Sequence, residues 1–214
     1  MPTFQTSQPI AVTVDVACGD VTVVAADRAD AVVEVRPADA SSKADMRAAE
    51  QIQVEFAGGK LTVASPKKWK AFTPFGGNPT VSVTVEVPIG SVLDATVAMG
   101  RLVSVGEFDR CELEVSAGDI VVEHPGDSVT AKTAKGNIRV DEAARGVLRL
   151  ETSMGDLEVG IRPGSAARLE TNALHGSVQN RMEPVAPSRG NGDSVQVFAR
   201  TLYGNVTVGH GTLV

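Results

Sequence analysis

The chain has few of the residues that most often carry chemistry. Its 214 residues include two cysteines, three histidines and one tryptophan, and aromatic residues make up 4% of the total. It contains no HExxH, CxxC or clustered-histidine motif with metal-ligand spacing. Two cysteines, Cys18 and Cys111, indicate reduced structural thiols and not a disulfide framework. We therefore expect no metal and no cofactor.

The chain also lacks a positive charge excess and long apolar runs. Its formal net charge is −6 and its isoelectric point is near 5.1, whereas a nucleic-acid binder normally carries a basic excess or stripe. No stretch approaches the roughly 20 apolar residues that span a bilayer, and residues 1–10 lack the basic and apolar regions of a signal peptide. Unless a targeting segment has been removed, we expect a cytoplasmic protein with no transmembrane segment and no nucleic-acid partner.

A repeated pattern around glycine is the dominant feature of the sequence. Around Gly136, the small or apolar residues are Val129, Ala131, Thr133, Ile138 and Val140, at positions −7, −5, −3, +2 and +4 relative to the glycine. The same frame fits, with small departures, the other predicted turn glycines: Gly19, Gly59, Gly100, Gly118, Gly155, Gly176 and Gly204. Many of these glycines are followed by Asp or Asn, which favour turns.

The pattern predicts a strand, a turn and a second strand in every unit, because alternation with period two is typical of a strand with one buried face. A hairpin could satisfy this pattern, but so could one coil of a solenoid. From Gly100 to Gly204 the glycines are spaced by 18, 18, 19, 21 and 28 residues, and this near-constant period favours coils stacked in parallel register. Val129 should then lie between Cys111 and Leu148.

The fold class predicted is all-β: a single β-solenoid domain over residues 1–214, with coils of about 18–20 residues. Residues 91–214 form the regular coils, and residues 1–90 form less regular ones. A short helix is expected near residues 41–50, where Ser42 and Asp45 have the spacing of a capping box.

Residues 65–79 form the least repetitive stretch and combine lysines with aromatic residues. We interpret it as a loop. Its candidate binding residues, for an anionic or polymeric partner, are Lys67, Lys68, Trp69, Lys70, Phe72 and Phe75. The alternative is that the aromatic residues fold back to cover an end or side of the solenoid.

These features together resemble a known family. The Gly-Asp and Gly-Asn corners, the loop from Pro66 to Gly77 before a valine-rich strand, and the helix ending at Gln51 are similar to the bacterial β-strand-repeat family named for adhesins, whose function is unknown. The resemblance covers essentially the whole chain. It implies a β-solenoid without established catalytic residues, and the adhesin label rests on fold analogy.

The sequence favours a non-enzymatic scaffold that binds a protein partner. One rival is a polysaccharide-binding or polysaccharide-cleaving β-helix, for which the outward carboxylates are Glu112, Glu114, Glu151 and Glu158. A second rival is a membrane-surface scaffold that uses the lysine-aromatic loop. Calcium binding at the Gly-Asp corners is disfavoured, because Lys60 and Arg101 occupy equivalent positions.

The partner could be a second copy of the chain. The last coil, around Val206 and Val208, ends within six residues of Val208, so its strands are expected to form an uncovered edge. A two-fold homodimer through this C-terminal coil would bury both edges. Alternatively, the tail after Val208 or the loop at residues 180–193 covers the edge and the protein is a monomer.

Overall fold

A computed structural model describes residues 2–66, 78–182 and 194–211. These residues form eighteen β-strands and one α-helix, α1, at Lys43–Gln51. The strands are β1 (Thr3–Gln5), β2 (Ala11–Ala26), β3 (Asp30–Pro37), β4 (Gln53–Ala57), β5 (Lys60–Ala64), β6 (Val81–Pro88), β7 (Val92–Met99), β8 (Leu102–Val105), β9 (Arg110–Ala117), β10 (Ile120–Glu123), β11 (Ser128–Lys135), β12 (Ile138–Ala143), β13 (Gly146–Met154), β14 (Leu157–Ile161), β15 (Ala166–His175), β16 (Val178–Asn180), β17 (Ser194–Tyr203) and β18 (Val206–His210).

The strands confirm a parallel β-solenoid. Each regular coil has one strand before its corner glycine and one after it, and we name the coil by that glycine. The strands before the corners form face 1, in the order β4, β5, first half of β2, β7, β9, β11, β13, β17, β15. The strands after the corners form face 2, in the order β1, β3, β6, second half of β2, β8, β10, β12, β14, β18, β16.

The predicted register is confirmed in the regular coils. Val129 pairs with Cys111 on one side and with Leu148 on the other. The inward residues on both faces form one continuous core of aliphatic side chains between the faces. Valine, leucine and isoleucine suit this position because they pack on a pleated surface that is buried on one side.

The corner glycines are needed for two reasons. In the Gly136 coil, φ of the glycine is +148°, a conformation that side chains disfavour. In addition, a Cβ on Gly136 would lie 1.9 Å from the carbonyl oxygen of Gly118 in the preceding coil. The same stacking recurs along a column of corners, in the order Gly19, Gly100, Gly118, Gly136, Gly155, Gly204, Gly176.

Gly59 belongs to a different kind of turn from the one that the frame implied. β4 and β5 pair antiparallel, and Gly58 and Gly59 join them with φ of +58° and +74°. Two consecutive positive φ values are what a tight β-hairpin requires. Gly59 is therefore a hairpin residue and not a solenoid corner.

The N-terminal end of the solenoid is closed by non-solenoid elements. β1, β3 and β4 are its antiparallel strands, and α1 packs against β3 and β6. The Ser42 side chain caps α1 by accepting a hydrogen bond from the Asp45 amide, as the capping pattern predicted. The Asp45 carboxylate in turn accepts a hydrogen bond from the Thr80 amide, which ties the helix to the residues before β6.

The order of the last two coils differs from their order in the sequence. β17 and β18 stack directly on β13 and β14, and β15 and β16 stack on β17 and β18. Val206 and Val208 are therefore internal and buried. The prediction that they form the uncovered edge is wrong. The Gly204 coil lies between the Gly155 coil and the Gly176 coil, and the Gly176 coil is the last of the described stack.

Replacing a core leucine should separate the inward from the outward positions. Leu150 is buried in β13 and its neighbour Glu151 is exposed. We expect Leu150→Ala to lower the free energy of unfolding by about 2–5 kcal/mol through lost burial and a residual cavity, and Glu151→Ala to lower it by less than about 0.5 kcal/mol. Urea unfolding curves measure both, and equal losses would contradict the register.

A glycine pair tests the corner stacking. Gly136→Ala places a Cβ against the Gly118 carbonyl, whereas Gly59→Ala meets nothing within 4 Å. Gly59→Ala incurs only the cost of a left-handed conformation, about 1–2 kcal/mol, whereas Gly136→Ala combines the strain of a φ of +148° with the clash. We expect Gly136→Ala to lower the melting temperature clearly more than Gly59→Ala does. Equal shifts would mean that backbone conformation alone explains the glycine column.

Candidate functional site: the terminal coil

The predicted lysine-aromatic binding residues lie outside the described residues. The structure does define where their loop departs and returns, since Pro66 follows β5 and Asn78 precedes β6. On the departing side, the Ser65 hydroxyl accepts a hydrogen bond from the Ala17 amide at 3.1 Å. The described ends of this segment, Pro66 and Asn78, therefore belong to the coil formed by β5 and β6, which pairs with the Gly19 coil.

The polar corner residues accept hydrogen bonds from backbone amides of the next coil. The Asp119 carboxylate accepts a hydrogen bond from the Asn137 amide at 2.7 Å, and the Asn137 side-chain oxygen accepts one from the Asp156 amide at 2.8 Å. Asp156 and Asn205 continue the same ladder into the last two coils. Across the described ranges, no cluster of three or more potential metal ligands is present. These contacts account for the Gly-Asp and Gly-Asn pairs without calcium.

A column of buried threonines supports the corners. The sequence pattern identified these threonines only as inward residues. The hydroxyls of Thr133, Thr152 and Thr201 each donate to the carbonyl oxygen of the corner glycine one coil earlier, at 3.0–3.2 Å. The close glycine stacking buries each of these carbonyl oxygens. The threonine hydroxyl supplies a hydrogen-bond donor to that oxygen and so avoids the cost of an unpaired buried polar group. The recurrence of threonine three residues before glycine is the signal that could have indicated this role.

The described histidines and cysteines take structural positions. His124 lies 3.1 Å from the Glu142 carboxylate, which also contacts Arg162 at 3.3 Å, so this cluster joins three successive coils. Burial raises the pKa of the Cys111 thiol to about 11, against the opposing effect of its contact with Ser104. At neutral pH Cys111 is therefore a neutral thiol, poorly suited to nucleophilic chemistry.

The predicted outward carboxylates lie in columns of mixed charge. Register places Glu114, Lys132, Glu151 and Arg200 side by side on the outside of face 1. Alternating signs at adjacent strands stabilise one another weakly. Glu112 lies 3.7 Å from Arg110 on its own strand. Each of these carboxylates therefore has a nearby cation, although Asp94 also lies beside Glu112 in register.

The Gly176 coil, formed by β15 and β16, has a stacking neighbour on only one side among the described residues, and we call it the terminal coil. Val178 is 46% exposed, whereas Val206, its partner in the previous coil, is fully buried. In β15, the inward Leu169 is half-buried, while the equivalent Leu148 is buried. The core of the solenoid is thus partly open at this end.

The hydrogen bonds at the corner of the terminal coil differ from those at the other corners. In the other regular coils the corner amide donates to the next coil, as Gly155 does to Tyr203 and Gly204 does to His175. Within the described part of the chain, the amides of Gly176 and Val178 have no such acceptor, because no further coil follows. Unpaired backbone groups of this kind are a template for another strand.

Exposed apolar side chains gather beside this edge. The described large hydrophobic residues that are exposed number seven, and four of them belong to the last three stacked coils: Met154, Leu174, Val178 and Tyr203. The Tyr203 ring stacks on His175 with ring centres 4.7 Å apart. Exposed apolar residues are usually scattered over a protein surface. A concentration of them is therefore typical of an interaction surface.

A shallow groove runs across face 1 next to the terminal coil. Its volume is about 570 Å³, and its lining includes Lys132, Arg149, Glu151, Asn172 and Arg200. The guanidinium carbon of Arg149 lies 5.4 Å from the centre of the Phe198 ring, which is a cation–π contact. The groove therefore adds polar groups of both signs to the apolar edge.

Comparison with known proteins supports the fold. No family model matches the chain, and no curated protein matches it by sequence. A crystal structure named as a candidate cell adhesion protein from Clostridium sporogenes is similar, with 9% identity, a TM-score of 0.57 and 98% of each chain covered. A candidate adhesin from Bacteroides fragilis has 10% identity, a TM-score of 0.47 and 97% and 95% coverage. The first of these structures confirms the resemblance to the adhesin-like repeat family at the level of fold.

At 9% identity, the similarity to the Clostridium sporogenes structure shows the fold alone. Among the helices of the described residues, none has the length and apolar character needed to cross a membrane.

The open end should be visible in hydrogen exchange. At a protein concentration low enough to prevent association, we expect the amides of β15 and β16 to exchange at least about tenfold faster than those of β13 and β14, because an edge opens without breaking a second interface. Exchange followed by mass spectrometry measures this on peptides from each strand. Equal protection of the two coils would show that the terminal coil is not an edge in solution.

Proposed function

We propose that the protein is a non-enzymatic interaction scaffold that binds a protein partner through the terminal coil. The observation that carries this proposal is that the inward residues of the regular coils are buried everywhere except in the terminal coil, as at Leu169 and Val178. An extended segment of a partner can add a strand to such an edge, with main-chain hydrogen bonds providing affinity and alternate side chains providing specificity.

The surroundings of the edge favour a protein as the partner. Leu174 and Tyr203 offer exposed apolar surface, and the groove with Arg149 and Arg200 offers a polar rim. An apolar centre with a mixed polar border is the usual anatomy of a protein interface. The adhesin names of proteins with the same fold are in keeping with this function.

The predicted homodimer becomes part of this proposal, with the terminal coil as its interface in place of the coil around Val206 and Val208. β18 is internal, so a second copy has no access to an edge at Val206 or Val208. The surface available for self-association is the terminal coil, formed by β15 and β16.

The rival functions have less support. A polysaccharide binder normally presents open aromatic platforms, but Arg149 lies over the Phe198 ring in the groove. A polysaccharide-cleaving enzyme needs two cooperating carboxylic acids, whereas Lys132 lies between Glu114 and Glu151 in register. The membrane-surface hypothesis depends on the lysine-aromatic loop, and it stays a prediction.

Site-specific cross-linking tests the proposed surface. A photo-reactive residue is introduced in the native cell at Leu174, in the terminal coil, or at Ile89, which is also exposed but lies in the turn after β6. We expect cross-linking to a defined protein, or to the chain itself, from position 174 and not from position 89. The cross-linked protein is then purified for direct titration.

The titration compares Leu174→Asp with Ile89→Asp as the matched control. Because Leu174→Asp places a charge in an apolar contact, we expect the dissociation constant to rise about tenfold or more, equivalent to about 1.4 kcal/mol. Ile89→Asp should leave it unchanged. Equal effects of the two substitutions, or none, would rule out the terminal coil as the binding surface. Unchanged melting temperatures confirm that both variants are folded.

A further inference from the structure

The outer edge strand carries opposite charges on either side of one inward residue. In β15, Arg168 and Glu170 flank Leu169, and the two charged side chains are 76% and 55% exposed. Their closest approach within the strand is 3.4 Å. An exposed pair of this kind contributes little stability by itself, so both groups are available to a partner.

Resting on the proposed function, we infer that the partner at the terminal coil is a second copy of this chain, with its β15 antiparallel to the first across a two-fold axis at Leu169. Directly opposite residues in an antiparallel pair have side chains on the same face. With Leu169 opposite its counterpart, Arg168 of each copy lies opposite Glu170 of the other. The interface then contains two equivalent ion pairs and joins the two free edges.

Other two-fold registers are less favourable. An axis at Arg168 places the two arginines opposite each other, and an axis at Glu170 does the same with the two glutamates, so each creates a like-charge contact. An axis between adjacent residues sets inward side chains against outward ones, because the side-chain period along a strand is two. An axis at Ala167 or Thr171 brings neither ion pair together.

The register at Leu169 also fits the neighbouring side chains. The inward residues Ala167 and Thr171 lie opposite each other and extend the core across the axis. Leu174, which is exposed, lies beyond the first residue of β15 in the second copy and therefore outside the paired residues.

The same surface closes the assembly. A two-fold contact uses the same patch on both copies, so no free edge of face 1 remains at this end and growth stops at a dimer. A head-to-tail contact would instead join the terminal coil to the antiparallel strands β1 and β4 at the other end and would continue into a fibre. Because the charges of β15 complement themselves, the closed arrangement is favoured.

Charge-reversal variants test the register, with the molar mass measured by light scattering after size exclusion at micromolar concentration. The wild-type chain of 22.2 kDa should have twice that mass. Arg168→Glu and Glu170→Arg should each be monomeric, because each places two like charges in opposition at both ends of the pair. The equimolar mixture of the two variants should recover the dimer mass, and so should the double variant.

The structure offers a matched control in β9. Arg110 and Glu112 flank Cys111 in the same way, but β9 lies between β7 and β11 and has no free edge. Arg110→Glu should therefore leave the dimer intact. Melting temperatures of all variants should agree closely, because the substituted residues are exposed.

A monomeric wild-type chain, a dimeric Arg168→Glu variant, or failure of the mixture to associate would each overturn the inference. Its failure is distinguishable from failure of the proposed function. If the wild-type chain is monomeric but position 174 still cross-links to another protein, the interaction surface stands and only the self-partner is wrong. If neither association nor cross-linking occurs, both are wrong.

Discussion

The close stacking of peptide groups at the corners is the constraint on which the rest of the structure depends. Each corner glycine lies over the carbonyl of the glycine before it, at a distance that excludes a Cβ. This approach fixes the register between coils, and the register in turn aligns the aliphatic columns, the threonine hydroxyls and the Asp and Asn side chains. A solenoid gains most of its stability between neighbouring coils, so the terminal coil, which pairs with one neighbour among the described residues, is the weakest point and the most available one.

The alternating residues predicted most of the fold, because side-chain period and corner glycine are local properties of the sequence. Register follows once inward and outward positions are known, since a slip of one residue exposes the core. The turn at Gly59 escaped this reasoning because a hairpin also has alternation on both sides of a glycine. The preceding Gly58 was the available signal, as two consecutive glycines favour a hairpin turn.

The order of the last coils was harder to predict, because every coil shares the frame and fits any other. Two details nevertheless favour the observed order. Thr201 continues the hydroxyl column of Thr133 and Thr152, whereas the terminal coil has Ala173 at that position. The terminal coil also carries Asn180 where the preceding coil has the buried Val208. A polar residue in an inward column is tolerated where that column meets solvent, because burying an unpaired polar group is costly. Residues 67–77 of the candidate binding loop at 65–79 lie outside the described residues, so the binding role of its aromatic and lysine residues stays a prediction.

The two ends of the solenoid differ in how their edges are managed, and this difference links fold to function. At the N-terminal end, β1 is a three-residue edge and α1 packs nearby, and short edges limit uncontrolled pairing. At the other end, β15 is a ten-residue edge that includes charged residues of both signs. Charges on an edge strand discourage pairing with most strands, but the order Arg168, Leu169, Glu170 permits pairing with a strand that presents the reverse charges in the antiparallel direction. β15 of a second copy presents those charges, so in the proposed dimer the charges that limit promiscuous pairing at this edge would also select the partner.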